Sequence, residues 1–338
     1  MKYDIEPGQK WEVDLFRPED AEGVVNLFLS VYGEGYPVKT YIDPDKLREE
    51  NAAGRVISSV ARTEKGDIVG HNALYNSAPY RGVYESGSGV VHKNYRGGRG
   101  IFTKMVVHGL EIAPSFDVEF VFGEPVCNHV FSQRLVRGVG AVTMGVEVDL
   151  MPAEAYVAEG SAEGRVTSLF SLMKIIKPKP HGVYLPERYA EKMKNLYGNL
   201  AKNREIALSG EPLPEGVKTN IVVQHFDFAR VARLAVWEMG EDFEEAFNQV
   251  ETEMRDKNVT VIQSWLNIGK PWVGEAAEAL RRKGYFFGGV LPRWFDTDGM
   301  LMQKLFHDPC WDAINLYYDR DKEIVAMVKE DWESAGKG

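Results

Sequence analysis

Cysteine is scarce in this 338-residue chain: Cys127 and Cys310 stand far apart, with neither the paired spacing of a zinc site nor the density of a disulfide framework. A reducing compartment fits that usage. Long apolar runs are missing too; none approaches the ~18 residues that span a bilayer, and Met1–Glu6 lacks the basic and apolar regions of a signal peptide. A cytoplasmic protein with no membrane partner is expected. Positive charge is in deficit, with 40 Lys and Arg against 50 Asp and Glu for a formal −10. That balance opposes phosphate-rich polymers, so no nucleic-acid partner is expected either. Low-complexity tracts and short sequence repeats are also absent. What remains, 44% hydrophobic and 27% charged residues, is ordinary for folded cores, and the length suggests two domains at about 150 residues each.

Trp11 to Phe16 alternates apolar and charged residues as a half-buried strand does, until Arg17-Pro18 breaks it. Pro18 suits a first helical turn, Glu19, Asp20 and Glu22 suit the positive helix end, and Val24, Leu27, Phe28 and Val31 recur at core-facing spacing. Arg55–Arg62 and Ile68–Tyr75 predict an antiparallel hairpin around Gly66. A strand over Val83–Val91 runs straight into Lys93-Asn-Tyr-Arg-Gly-Gly-Arg-Gly100, and Ile101, Met105 and Leu110 then mark a helix that Pro114 ends. Val118–Phe122 reads as a doubly buried strand, His129–Arg137 as a helix stopped by Gly138 and Gly140, and Val142–Leu150 and Arg165–Ile176 as two strands.

Lys177-Pro-Lys-Pro-His-Gly182 reads as a linker, since two prolines in four residues prevent regular structure. The expected division is residues 1–177, a linker and bridging helix over 178–216, and a second α/β domain over 217–338. In that domain Val259–Leu266 predicts a strand, Val273–Lys283 a helix, and Phe286–Leu291 and Met300–Leu305 strands. The acidic run Glu238–Glu253 reads as a solvated helix face, and the aromatic group Trp265, Trp272, Tyr285, Phe286, Phe287, Trp294 and Phe295 as core before pocket.

The chemistry concentrates in Val90-Val-His-Lys-Asn-Tyr-Arg-Gly-Gly-Arg-Gly-Ile-Phe-Thr-Lys104. Glycines let backbone approach a ligand without Cβ clashes, the N–H groups that open the next helix form an anion site, and Lys93, Arg96, Arg99 and Lys104 add local positive charge. A phosphate ligand follows. A dinucleotide site of the Rossmann type does not, because the spacing is not G-x-G-x-x-G. His71, His92, His108 and His129 are too scattered for a metal pair, and no metal is expected.

This segment resembles the acyl-CoA signature of the GNAT superfamily, R/Q-x-x-G-x-G/A after the fourth strand, with one residue more than the usual Arg-Gly-Lys-Gly-Ile-Phe form. The resemblance covers Trp11 to Lys177. It implies a mixed, mostly antiparallel sheet flanked by helices, and acetyl-CoA or another acyl-CoA as the cofactor. Gly89, Val90 and Val91 would pair with the pantetheine, and Arg96, Gly97, Gly98, Arg99, Gly100, Ile101 and Phe102 would hold the pyrophosphate. Asn128-His-Val-Phe-Ser132 resembles the family's Asn/Ser-containing helix start, which places Asn128 and Ser132 beside the cofactor. The tyrosine that many members carry on that helix has no counterpart in Gln133-Arg-Leu-Val-Arg137. Ser132 or water is then the acid, and Glu85, Glu124 and His129 are candidate bases for a small-molecule or peptide amine acceptor. The late half, from Val261 to Pro292, resembles strands five to seven of another, degenerate GNAT unit without an Arg-rich loop. The implied activity is acyl transfer to an amine, with a homodimer as a further expectation; the alternatives are a non-catalytic acyl-CoA sensor and a purely structural protein.

Overall fold

The computed structural model describes residues 4–34, 36–98, 100–155 and 164–335. The chain divides into two compact units, residues 1–124 with 173–177, and residues 125–172 with 178–338.

In the first unit β1 (Trp11–Leu15) leads through a 3-10 turn at Pro18–Asp20 into α1 (Ala21–Tyr32), whose Val24, Val25, Leu27 and Phe28 form the buried stripe. Arg62 grips Asp20 with two guanidinium nitrogens, at 2.8 and 2.5 Å, and so fixes the start of that helix. A second helix, α2 (Pro44–Ala52), was not expected. Its signal is local: Asp43 accepts from the N–H groups of Asp45 and Lys46, and Pro44 occupies the first helical position. Then come β2 (Val56–Thr63), β3 (Ile68–Tyr75), β4 (Val83–Val91), α3 (Ile101–Ile112) and β5 (Phe120–Gly123). Their sheet runs β1-β2-β3-β4-β5, antiparallel up to β4 and parallel between β4 and β5.

The second unit holds α4 (Phe131–Gly138), β6 (Val142–Pro152) and most of β7 (Arg165–Ile175). After the prolines come β8 (His181–Leu185), α5 (Ala190–Tyr197) and β9 (Arg204–Leu208), then β10 (Asn220–Phe226), β11 (Val231–Glu238), α6 (Phe243–Asp256) and β12 (Val261–Asn267). The chain ends with α7 (Val273–Arg282), β13 (Phe286–Leu291), β14 (Gly299–Leu305) and α8 (Asp319–Ala335). Within this unit the strand order is β7-β6-β13-β14-β12-β11-β10. Gly145 and Gly289 let β6 and β13 touch backbone to backbone, since a Cβ on Gly289 would overlap the Gly145 main chain.

Residues 178–216 carry more structure than the linker and helix expected there. β8 and β9 form a separate parallel pair. The buried Asp298 carboxylate holds the segment, accepting from His181 Nε2 (2.9 Å), Tyr197 OH (2.8 Å) and Arg204 Nε (2.8 Å). Those donors keep its pKa far below the ordinary carboxylate value against the opposing cost of burial. Apart from the half-buried Trp272 the aromatic group is core: Trp265 and Trp294 pack edge to face with ring centres 5.1 Å apart, and Tyr285, Phe286 and Phe287 are buried. No described helix is long and apolar enough to cross a membrane, and no group of three or more potential metal ligands occurs among the described residues.

Candidate functional site

β4 departs from a regular strand in two ways. Its parallel pairing with β5 covers only Val83↔Phe120 to Glu85↔Phe122, so the two strands part beyond Glu85. Its register with β3 then slips between His71↔Val90 and Ala73↔Gly87, where Ser88 takes a left-handed φ of 50°. This is a bulge. His71 clamps it: the ring is fully buried, Nδ1 lies 3.0 Å from the Ser88 carbonyl, and Nε2 lies 3.0 Å from Ser58 Oγ. A carbonyl only accepts, so Nδ1 carries the proton and Nε2 takes the serine's. Burial pushes the His71 pKa down to about 4, which keeps the ring neutral.

Beyond Glu85 no described strand pairs with the β5-side edge of β4, which leaves room there for a strand-like ligand. Gly89 lies in this stretch for a packing reason as well, because any Cβ there would overlap the Phe102 ring at the start of α3. The strand and the helix opening are thus locked together through one glycine.

The loop between them is built to leave backbone open. Gly97, Gly98 and Gly100 have φ of 84°, 89° and 69°, values that side-chain-bearing residues rarely adopt, and a Cβ at any of them meets no described atom within 4 Å. Gly100 is the N-cap of α3 and offers no side-chain cap, so the N–H groups that open the helix, those of Ile101 and Phe102 among them, take no cap from it and carry the positive helix end. Arg96 bridges back to β4, its Nε donating to the Val91 carbonyl at 2.9 Å while the rest of the exposed guanidinium stays at the loop. Arg99 lies outside the described residues. A strand edge without a described partner, followed by an uncapped, glycine-lined helix start, can take an extended ligand that carries an anionic group.

Glu85 sits where β4 leaves β5. Tyr75 OH donates to its Oε1 at 2.6 Å and Ser77 Oγ to its Oε2 at 2.9 Å. The Tyr75 phenol is pushed far above its ordinary pKa, by burial first, then by the charge of Glu85 and more weakly by that of Glu124. Both carboxylates therefore act on one tyrosine. On the other side of the bulge Phe28, Tyr32, Tyr36 and Tyr41 pack together, with Phe28 and Tyr41 stacked at 4.9 Å and Tyr32 and Tyr36 also 4.9 Å apart. The Tyr36 and Tyr41 phenols are both pushed up mainly by burial, and the Tyr41 ring packs edge-on against His71 with ring centres 5.2 Å apart. Sequence reasoning missed His71, Ser88 and these tyrosines. Their common point is a bulge, which no residue pattern announces.

Asn128, His129 and Ser132 belong to the second unit. Gln133, fully buried, organises their segment: its Nε2 lies within reach of the carbonyls of Val126 (3.2 Å), His129 (3.0 Å) and Asn315 (2.8 Å). Asn315 in turn donates from Nδ2 to the Asn128 carbonyl at 3.2 Å. Ser132 Oγ makes a long contact of 3.5 Å to the Val126 carbonyl, and the His129 ring lies 5.4 Å from Phe131, which is exposed. Asn315 is almost two hundred residues away in sequence and gives no local signal.

No family model matches the chain, and no curated protein matches it. Solved structures do. Ribosomal-protein-alanine N-acetyltransferase from Brucella melitensis is 21% identical, with a TM-score of 0.38, covering 48% of this chain and 99% of its own. The yncA protein of Salmonella typhimurium, solved with its cofactor acetyl-CoA, is 14% identical with a TM-score of 0.39, covering 50% and 95%. Mutant forms of the spermidine/spermine N-acetyltransferase SpeG from Vibrio cholerae are 13% identical with a TM-score of 0.36, covering 49% and 95%. The succession β1-α1-α2-β2-β3-β4-α3-β5-α4-β6-β7, with its parallel β4–β5 pair and a glycine loop between β4 and α3, is the mixed, mostly antiparallel sheet with flanking helices that the sequence led one to expect.

Proposed function

We propose that the protein transfers an acetyl or other short acyl group from acyl-CoA to an amine. The observation that carries this reading is the open edge of β4 beyond Glu85, continuous with the uncapped glycine loop of α3. When bound, acyl-CoA supplies a thioester whose acyl group can pass to an amine with release of the thiol. Backbone groups of Gly89, Val90 and Val91 pair with the pantetheine. The loop amides from Gly97 to Phe102, with Arg96 and Arg99, hold the pyrophosphate, and Asn128 and Ser132 lie along the cofactor. Glu85, oriented by Tyr75 and Ser77, is the favoured base for the ammonium proton, with Glu124 and His129 behind it. The ring cluster of Tyr32, Tyr36 and Tyr41 with a nearby carboxylate favours a cationic small-molecule amine over a neutral one. The organisation that goes with this reading is a GNAT domain over residues 1–177, a connecting segment over 178–216 and a reduced GNAT-like domain over 217–338.

A second reading, an acyl-CoA sensor without turnover, draws on the absence of a tyrosine from α4. Calorimetric titration with acetyl-CoA, followed by a thiol-release screen over polyamines and other amines, separates the two. Binding with thiol release for some amine is expected. Binding without release across the panel supports the sensor, and no binding removes both readings.

A further inference from the structure

The second half of the chain repeats the first from its third strand onward. An antiparallel pair (β3–β4, β10–β11) is followed by a helix (α3, α6), then a strand parallel to the second member (β5, β12), a helix (α4, α7) and an antiparallel hairpin (β6–β7, β13–β14). The repeat starts late. No described strand continues the sheet beyond β10 as β2 and β1 do beyond β3: β8 and β9, which come before it with α5 between them, pair parallel with each other in a separate sheet, and residues 209–219 hold no helix or strand. In the first half β3 is covered: it pairs antiparallel with β2 and is buried at seven of its eight positions. Its counterpart β10 pairs with β11 alone among the described strands and has no buried position.

An uncovered strand of seven residues is a hazard that folded proteins blunt with charge, proline or a bulge. Asn-Ile-Val-Val-Gln-His-Phe, residues 220–226, contains no formally charged side chain and no proline, and its register with β11 is regular from Ile221 to Phe226. Apolar side chains stand out along it and just beyond: Val222 is 48% exposed, Val223 36%, Phe226 37% and Phe228 48%. Such an edge is shaped to be paired. The first half indicates the hand of the pairing, since β3 receives an antiparallel strand there. An antiparallel pairing of β10 with itself is two-fold symmetric, closes on two copies, and brings no like charges face to face.

We propose that β10 is the contact strand of a homodimer, paired antiparallel with β10 of a second copy of this chain. The contact depends on the second half alone and does not rest on acyl-CoA binding. Sedimentation equilibrium on the full chain across the micromolar range, with wild type beside Val222→Lys/Val223→Lys, tests it. Wild type is expected to be dimeric, and the double variant to weaken the dimer by ~100-fold or more with an unchanged circular dichroism spectrum. Because the lysines could disturb folding, Gln224→Cys supplies a second readout: mild oxidation should give a disulfide-linked dimer that wild type does not form. A monomeric wild type, a mass that rises without limit, or a folded double variant that dimerises as before overturns the proposal.

Discussion

The two halves of this chain build the same strand–turn–helix–parallel strand unit and put it to opposite ends. In the first, β4 parts from β5 after three paired residues, bulges at Ser88, and opens into a glycine loop at an uncapped helix start. In the second, β11 stays in register with β12 from Val231↔Val261 to Val236↔Leu266 and carries no bulge along that length. Its turn, Glu238-Met-Gly-Glu-Asp242, is filled from within: a Cβ on Gly240 would overlap the Val217 carbonyl, Gly240 N–H donates to Thr219 Oγ1 at 3.0 Å, and Asp242 Oδ1 accepts from Thr219 N–H at 2.9 Å. Asp242, Glu244 and Glu245 place negative charge at the start of α6. The start of α3 carries no acidic residue in its first turn, and the start of α6 carries its own carboxylates. Neither helix start has a side-chain cap hydrogen bond, so under the proposed function it is the parted strands and the open glycine loop, not topology or capping, that would make a phosphate site.

The largest effect is expected where the first half is most tightly locked. Gly89→Val forces a branched side chain into the Phe102 ring, so acetyl-CoA binding should fall below calorimetric detection and stability should drop by about 1–3 kcal/mol. Adding Phe102→Ala removes the overlap and should return most of the stability. The matching change in the second half, Gly240→Ala, meets main chain and should also destabilise, while leaving the affinity of the folded protein for acetyl-CoA intact. A folded Gly240→Ala protein that no longer binds would place the cofactor in the wrong half. Thermal melts with and without acetyl-CoA distinguish the cases.

Much of this was legible in the sequence, because strand alternation, helix periodicity and glycine or proline stops coincide in elements such as β4, whose Val83–Val91 bounds were expected as found. The elements that escaped share physical reasons. α2 has a cap signal but only Leu47 on its buried face, and β10 is exposed throughout, so neither shows a strong apolar period. At the site, the loop glycines could be read because positive φ demands them. Ser88 and the His71 clamp could not, since a bulge is set by a register slip between strands and not by the residues at it.

The clamp has a pH signature that β11, without a bulge, does not need. His71 stays neutral in the fold down to about 4, whereas its ordinary value is 6.5. Between those values the unfolded chain takes up the proton and the folded chain does not, so stability is full above the ordinary value and is lost as pH falls towards 4. The loss from this group should be about 2 kcal/mol between pH 7.5 and 5. Urea unfolding at both pH values measures it, and His71→Gln should remove that part of the dependence. An equal slope in wild type and variant would mean that the ring is not held neutral.

The smallest effects give the finest comparison, because they change one charge at each helix start. Arg96→Ala removes an exposed guanidinium from the open loop, and acetyl-CoA affinity should fall about tenfold, ~1.4 kcal/mol, with the fold unchanged. Asp242→Asn removes the carboxylate from the filled turn, where backbone and side-chain hydrogen bonds from Thr219 hold its pKa at about 2. Melting should shift down slightly, and acetyl-CoA affinity should not move. Equal losses of affinity in the two variants would mean that both helix starts sense the same anion, and the contrast between an open and a filled turn would no longer explain which half binds.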